Sequence, residues 1–220
     1  MSKARALFDR ELTDLRDNIL YLGGMVETAI EMSIQALREQ DEDLARQVIA
    51  GDEEINDRRY DIEEQCVRLI ATQQPAAGDL RAIVAAIHIV TELERMGDHA
   101  SGIAELAIRL ADQPHLKPLI DVPRMAEIDR GMIRASLDAY FKRDPALALE
   151  TAKRDAEIDG LDDQVYRELL TYMLSDPTTI TRATYLLWVT HNLERIADRV
   201  TNICERVIYM CTGKMEELNF

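Results

Sequence analysis

Apolar positions along this chain recur with helical spacing in six stretches, each roughly 20 to 35 residues long. The first runs from about Ala4 to Glu39, the second from Glu42 to Gln73 and the third from Asp79 to Ala111. The segment Gln113-Pro114-His115-Leu116-Lys117-Pro118 cannot continue a helix. Beyond it the fourth stretch runs from about Val122 to Phe141, the fifth from Pro145 to Leu174 and the sixth from Thr178 to Cys211. Breaks fall at matching places. Gln74-Pro75-Ala76-Ala77-Gly78-Asp79 and Ser175-Asp176-Pro177-Thr178 each separate the second and third members of a triplet, and Asp144 before Pro145 has N-cap and N1 chemistry. Long helices joined by short turns run antiparallel to their neighbours. The expected fold is therefore all-α: two tandem antiparallel three-helix bundles, residues 1–113 and 114–220, related by an internal repeat.

The repeat is visible in the residues. Leu93-Glu94-Arg95-Met96-Gly97-Asp98 returns as Leu193-Glu194-Arg195-Ile196-Ala197-Asp198, and Ile103, Glu105 and Ile108 return as Ile203, Glu205 and Ile208. Its best-kept part holds paired acids. In the third stretch Leu80, Val84, Ile87, Thr91, Glu94, Asp98 and Ser101 follow a 4-3 alternation, as do Ile180, Thr184, Leu187, His191, Glu194, Asp198 and Thr201 in the sixth. This alternation is the signature of a packed helical seam. The second stretch places Val48, Ile55, Ile62 and Leu69 on one row, with Asp52, Arg59, Cys66 and Gln73 beside it, and Asn56 one turn after Asp52. In the fifth, Thr151, Ile158, Val165 and Tyr172 flank Asp155, Asp162 and Leu169, so that Asp155 and Asp159 match Asp52 and Asn56.

Acids at i and i+4 stand about 5–6 Å apart on one face of a helix. Burying an unpaired carboxylate costs several kcal/mol. Three explanations compete: the acids face water because the seam is one position out of phase, they pair with Arg59, Arg95 and Arg195, or they hold cations between helices. A solvated face gives no reason to keep acids at matching places in both halves. Arg95 and Arg195 leave their helix about 100° from the acid that precedes each of them. Cation binding ranks first, and all-oxygen ligands suit Mg²⁺, Mn²⁺, Ca²⁺ or iron.

Composition narrows the function further. The formal net charge of −15 excludes a nucleic-acid surface, which needs surplus Lys and Arg. Apolar residues at 47% support a sizeable core, and 9 Gly with 6 Pro leave few turns. Three cysteines without a CxxC pair, and a start without an apolar core, point to a reducing cytoplasm. The longest apolar run, Ala82 to Val90, is interrupted by His88 and is too short to span a bilayer, so membrane association would go through a partner. No nucleotide-binding or hydrolase motif is present, and the chain reads as a non-enzyme. His191 reads as a core histidine more readily than as a ligand, and His99 carries no role. Tyr172, Tyr185 and Trp188 read as core or interface residues, and Cys66 and Cys204 as buried small hydrophobes.

These elements resemble the PhoU family of phosphate-transport accessory and regulatory proteins over essentially the whole chain. The strongest stretches are Gln73-Gln74-Pro75, Ala77-Gly78-Asp79-Leu80-Arg81 and Leu93-Glu94-Arg95-Met96-Gly97-Asp98-His99-Ala100. The resemblance implies a cytoplasmic, usually dimeric protein with metal ions or a multinuclear cluster on each bundle. Carried over by motif, the ligands are Asp52, Asn56, Glu94 and Asp98 in the first half, and Asp155, Asp159, Glu194 and Asp198 in the second. Asn56 departs from the acidic pattern, so the first site is expected to be weaker or to hold fewer ions. The implied ions are divalent or trivalent: iron, Mn²⁺ or Mg²⁺. The implied partners are the ATPase of the phosphate-specific ABC transporter and the sensor histidine kinase of the phosphate regulon, whose expression such proteins suppress. A rival reading is a carboxylate-bridged di-metal oxidase or iron store of the ferritin-like class. That class needs Glu-x-x-His on two helices, and this chain has no such pair.

Overall fold

The computed structural model describes residues 3–215, 217 and 218, with side chains from Leu7 onward. Its helices are α1 (Lys3–Glu39), α2 (Glu42–Gln73), α3 (Ala77–Leu110), α4 (Asp121–Lys142), α5 (Pro145–Ala152), α6 (Asp155–Ser175), a 3₁₀ turn (Pro177–Thr179) and α7 (Ile180–Thr212). No strand occurs among the described residues, and none of their helices is long and apolar enough to cross a membrane.

The first turn of each triplet is built alike. Gln40 and Arg143 take left-handed backbone, with φ of 57° and 52°, and Asp41 and Asp144 follow as N-caps. The Asp41 N–H donates to the Ala36 carbonyl at 3.0 Å, and the Asp144 N–H to the Ala139 carbonyl at 2.9 Å, which closes the preceding helix. Each Asp carboxylate then accepts from the new helix, from Leu44 N at 2.9 Å and from Leu147 N at 3.0 Å. This shared turn fixes the register of the repeat: Asp41 answers to Asp144, and Asp52 to Asp155.

The two triplets lie side by side, α3 packed along α7 and α1 along α4, over one continuous apolar core. Two sets of contacts across this junction are reciprocal, as a pseudo-twofold axis requires. His99 Nδ1 lies 3.0 Å from Asn192 Oδ1, and its mirror pair is Arg199 Nη1 with Glu92 Oε2 at 3.5 Å. Arg130 Nη2 meets Glu31 at 2.8 Å, and the mirror pair is Arg134 with Glu27. Gly102 admits this approach, since a Cβ there would stand 3.4 Å from Asn192 Oδ1.

Several expectations need correction. The fifth stretch is two helices. At Lys153 and Arg154 the i→i−4 ladder gives way to three-residue bonds, Arg154 N to Thr151 O at 3.1 Å and Glu157 N to Arg154 O at 2.9 Å. The break falls where the chain is packed by tertiary contacts: Ala148 and Ala152 are fully buried, and Arg154 lies over Gly131. The α3 and α7 seams also lie one position from their predicted phase. Leu93, Met96, Gly97, Ala100 and Leu193, Ile196, Ala197, Val200 are buried, and the acids sit on the flank of that stripe. His191 is exposed, not in the core. Cys66 and Cys204 are buried as expected. His99, given no role from sequence, joins the two halves.

Candidate functional site

Two acidic clusters form where α2 meets α3 and where α6 meets α7. In the first, Asp52, Asn56 and Glu94 are half-buried and Asp98 is exposed. Asn56 Nδ2 donates to Asp52 Oδ2 at 3.2 Å, so one expected ligand is already bonded to another. Burial raises the Asp52 carboxyl above its usual range, and the Asp98 charge adds to this. Glu94 is also raised, by burial and then by Asp98, against the opposing pull of Arg59. Arg59 is itself held between Glu63 at 2.8 Å and Glu94 at 3.8 Å, with its guanidinium 4.2 Å from the centre of the Tyr60 ring.

Acids are denser in the second cluster. Asp155 opens α6, where a carboxylate is favoured by the unpaired N–H groups of the first turn. Burial comes first, and Asp159, Asp198 and Glu194 together with it push Asp155 up to about 6. Asp159 rises through burial and its neighbours Asp198 and Asp162. Burial and Asp198 raise Glu194, while His191 and Arg195 oppose. Arg195 Nη1 donates to Asp198 Oδ2 at 2.8 Å, and His191 Nδ1 stands 3.3 Å from Glu194 Oε2. Arginine pairing thus accounts for Glu94 and Asp198. Arg95 pairs with Glu92 at 3.6 Å, and only its charge reaches the cluster, where it opposes the rise of Glu94.

Each set of four is therefore brought into one electrostatic neighbourhood, as the spacing predicts. Among the described residues, however, no three acid, imidazole or thiol groups stand close enough together to hold an ion as they are placed. Oxygen atoms that lack partners supply the argument for a cation. Asp52 Oδ1 in the first cluster, and Asp155 Oδ1 and Thr201 Oγ1 in the second, are buried without a hydrogen bond. Buried oxygens of this kind are normally satisfied, and oxygen-only donors fit hard cations. Asp155, Asp198 and Thr201 line a common cavity of about 350 Å³ with Arg195, Arg199 and Glu205.

Sequence reasoning missed Asp129 on α4, which is fully buried with both carboxylate oxygens unpartnered. A signal was available: Val122, Asp129 and Ser136 form a row spaced by seven, and all three are buried. The register set by the shared turn aligns Asp129 with Val26, Asp159 with Asn56 and Asp162 with Arg59. The second cluster thus carries three acids where the first has an apolar, an amide and a basic side chain. A separate apolar groove of about 500 Å³ between α1 and α2, lined by Tyr21, Met25, Met32, Val48, Gly51 and Ile55, holds no such set of acids. In the second half Arg154 stands where Gly51 stands in the first, and its guanidinium covers the equivalent surface at Gly131.

The PhoU domain profile matches the chain twice, over residues 19–107 and 122–207. The chain belongs to the PhoU family. A PhoU homolog of Clostridium acetobutylicum, named as a phosphate-specific transport system accessory protein, is 41% identical over 98% of this chain and 99% of its own. One from Aquifex aeolicus with the same name is 41% identical over 94% of this chain and 93% of its own. The crystal structure of PhoU from Pseudomonas aeruginosa superposes with a TM-score of 0.88 at 39% identity, covering 94% of this chain and 100% of that one. The phosphate transport system regulatory protein PhoU from Streptococcus pneumoniae gives 0.89 at 31%, covering 96% and 100%. PhoU relatives are thus named for accessory and regulatory roles, and the paired matches follow the repeat that the two turns display.

Raised carboxyl groups make a pH prediction for the metal-free chain. Asp155 is ordinarily near 3.8 and stands near 6 when folded, so between these values the folded state binds more protons than the unfolded one. Stability contributed by this group is complete below 3.8 and is lost as pH rises through about 6. Denaturant midpoints of the chelated protein should therefore carry a component that falls between pH 4 and 6, and Asp155→Asn should flatten it. A window whose slope is the same in parent and variant would contradict the raised value.

Proposed function

We propose that this chain is a non-enzymatic accessory regulator of phosphate-specific transport, which restrains uptake and phosphate-regulon expression when phosphate is plentiful. The observation that carries this reading is the match of both halves to the PhoU domain, with accessory-protein relatives aligned over 94–98% of the chain. Regulation would run through contacts with the transporter ATPase and with the sensor histidine kinase, made by a cytoplasmic homodimer.

In this reading the acidic clusters are metal centres. Asp52, Asn56, Glu94 and Asp98 would hold ions in the first half, and Asp155, Asp159, Glu194 and Asp198 in the second. The bound group would be a hard divalent or trivalent ion, iron, Mn²⁺ or Mg²⁺, singly or as a cluster. Such an ion supplies positive charge that ties α2 to α3 and α6 to α7. Arg59 would screen the first cluster and Arg195 would orient Asp198 in the second. The orphaned buried oxygens support this reading over that of a solvated acidic face.

A tagged chain captured from phosphate-replete cells should bring down the transporter ATPase or the sensor kinase. Recovery of neither, from cells that express both, would contradict the regulatory role.

A further inference from the structure

Asp129 stands apart from the other acids of this chain. It is fully enclosed on α4, neither of its carboxylate oxygens has a hydrogen-bond partner, and no basic side chain pairs with it in any described contact. Two residues along the same helix, a Cβ on Gly131 would stand 3.3 Å from Arg154 Nη1, so this stretch of α4 lies against the turn that opens α6 at Asp155. Asp155 is the charged group that acts on Asp129, and it adds to the effect of burial in raising that carboxyl well above its usual range. The Asp155 oxygen Oδ1 is itself buried and unpartnered, as is Thr201 Oγ1 on the α7 side of the same cavity.

We propose that Asp129 is a cation ligand supplied by α4 to the second-half centre, which makes that centre a three-helix site of high affinity while the first-half centre is a weak two-helix one. The inference rests on the metal-binding reading above and deepens it. Its ligand class is a hard, oxygen-coordinated cation of charge two or three. Six acids are linked by charge at the second centre: Asp129 to Asp155, Asp155 to Asp159, Glu194 and Asp198, and Asp159 to Asp162. Arg195 is the one arginine or lysine that pairs with any of the six in a described contact, and His191 Nδ1 stands 3.3 Å from Glu194 Oε2. The first centre has Val26, Asn56 and Arg59 at the corresponding places, and the guanidinium of Arg59 stands 3.8 Å from Glu94. Affinity for a hard cation grows with the number of carboxylates that converge on it. A buried acid without a cation or a hydrogen-bond donor is also a destabilising feature that an apolar side chain would remove, as Val26 does in the other half.

The test uses the full chain stripped of metal, titrated with Mn²⁺ by calorimetry and by metal analysis after gel filtration. Variants are Asp129→Asn, close in shape, and Asp129→Val, the residue of the other half. The parent is expected to show a tight and a weak class of site. Both variants should keep their helix content, lose affinity at the tight class by ~10-fold or more and leave the weak class unchanged. The rise in Tm caused by Mn²⁺ should shrink in parallel. Parent-like Mn²⁺ binding in both variants, together with a higher Tm without metal, would show that Asp129 is only a buried protonated acid and would overturn the inference while sparing the metal reading. A parent that binds no Mn²⁺ at either class would overturn both.

Discussion

Replacing Glu194 and Asp198 together by alanine is expected to lower the metal bound per chain by at least about half, because both side chains face the more acidic centre. Metal analysis of protein purified without chelator reads this directly. The same double variant, once chelated, should be no less stable than the chelated parent. Burial and mutual repulsion raise Glu194, so the folded state gains when its charge is removed. The pair lost between Arg195 and Asp198 is more than a third exposed on both sides and contributes little. This combination separates loss of a ligand from loss of structure. Removing Asp52 and Asp98 should release less metal, since Asn56 and Arg59 already weaken that centre. Unchanged stoichiometry in the Glu194 and Asp198 variant would contradict the ligand assignment.

The second-half acids were legible as a group because Glu194 and Asp198 repeat Glu94 and Asp98 at the same helical spacing, and a repeat needs no tertiary information to be seen. On α2 one row of the seam was legible in full: Val48, Ile55, Ile62 and Leu69 are all buried, whereas of the row beside it only Cys66 is. On α3 and α7 it was one position out for a physical reason. Each of these helices is packed by its own triplet on one side and by its pseudo-twofold mate on the other, so its apolar face is wide. A narrow 4-3 alternation drawn along the edge of a wide face catches Leu80 and Ile180, which are exposed, and misses Leu93 and Leu193, which are buried. The turn at Lys153 and Arg154 lacked any local signal, with no Gly or Pro to mark it. The contact made there, Arg154 over Gly131, is with a residue remote in sequence. Asp129 carries a weaker signal. One acid on an apolar heptad row carries no repeat partner, and comparison with Val26 becomes possible only after the shared turn has set the register.

A continuous core across the pseudo-twofold junction leads to the second large effect. Leu93 is fully buried on α3, and α3 packs against α1 and α2 on one side and α7 on the other. Leu93→Ala should lower the unfolding free energy by about 3 kcal/mol through lost burial and the cavity left behind. The only tryptophan of the chain, Trp188, lies on α7 in the other half. If the halves unfold as one unit, denaturant midpoints from Trp188 fluorescence and from helical circular dichroism coincide in the parent and move together in the variant. Leu193→Ala should act the same way from the other side, with a loss of similar size. A Trp188 midpoint left in place by Leu93→Ala, while the helical signal splits into two steps, would mean that residues 1–113 and 114–220 fold separately. The reciprocal pairs His99 with Asn192 and Glu92 with Arg199 would then be contacts between docked units instead of parts of a shared interior. Those pairs are only partly buried and contribute little on their own. Cooperativity between the halves therefore depends on apolar residues such as Leu93, Met96, Ala100, Leu193 and Ile196, whose burial is complete.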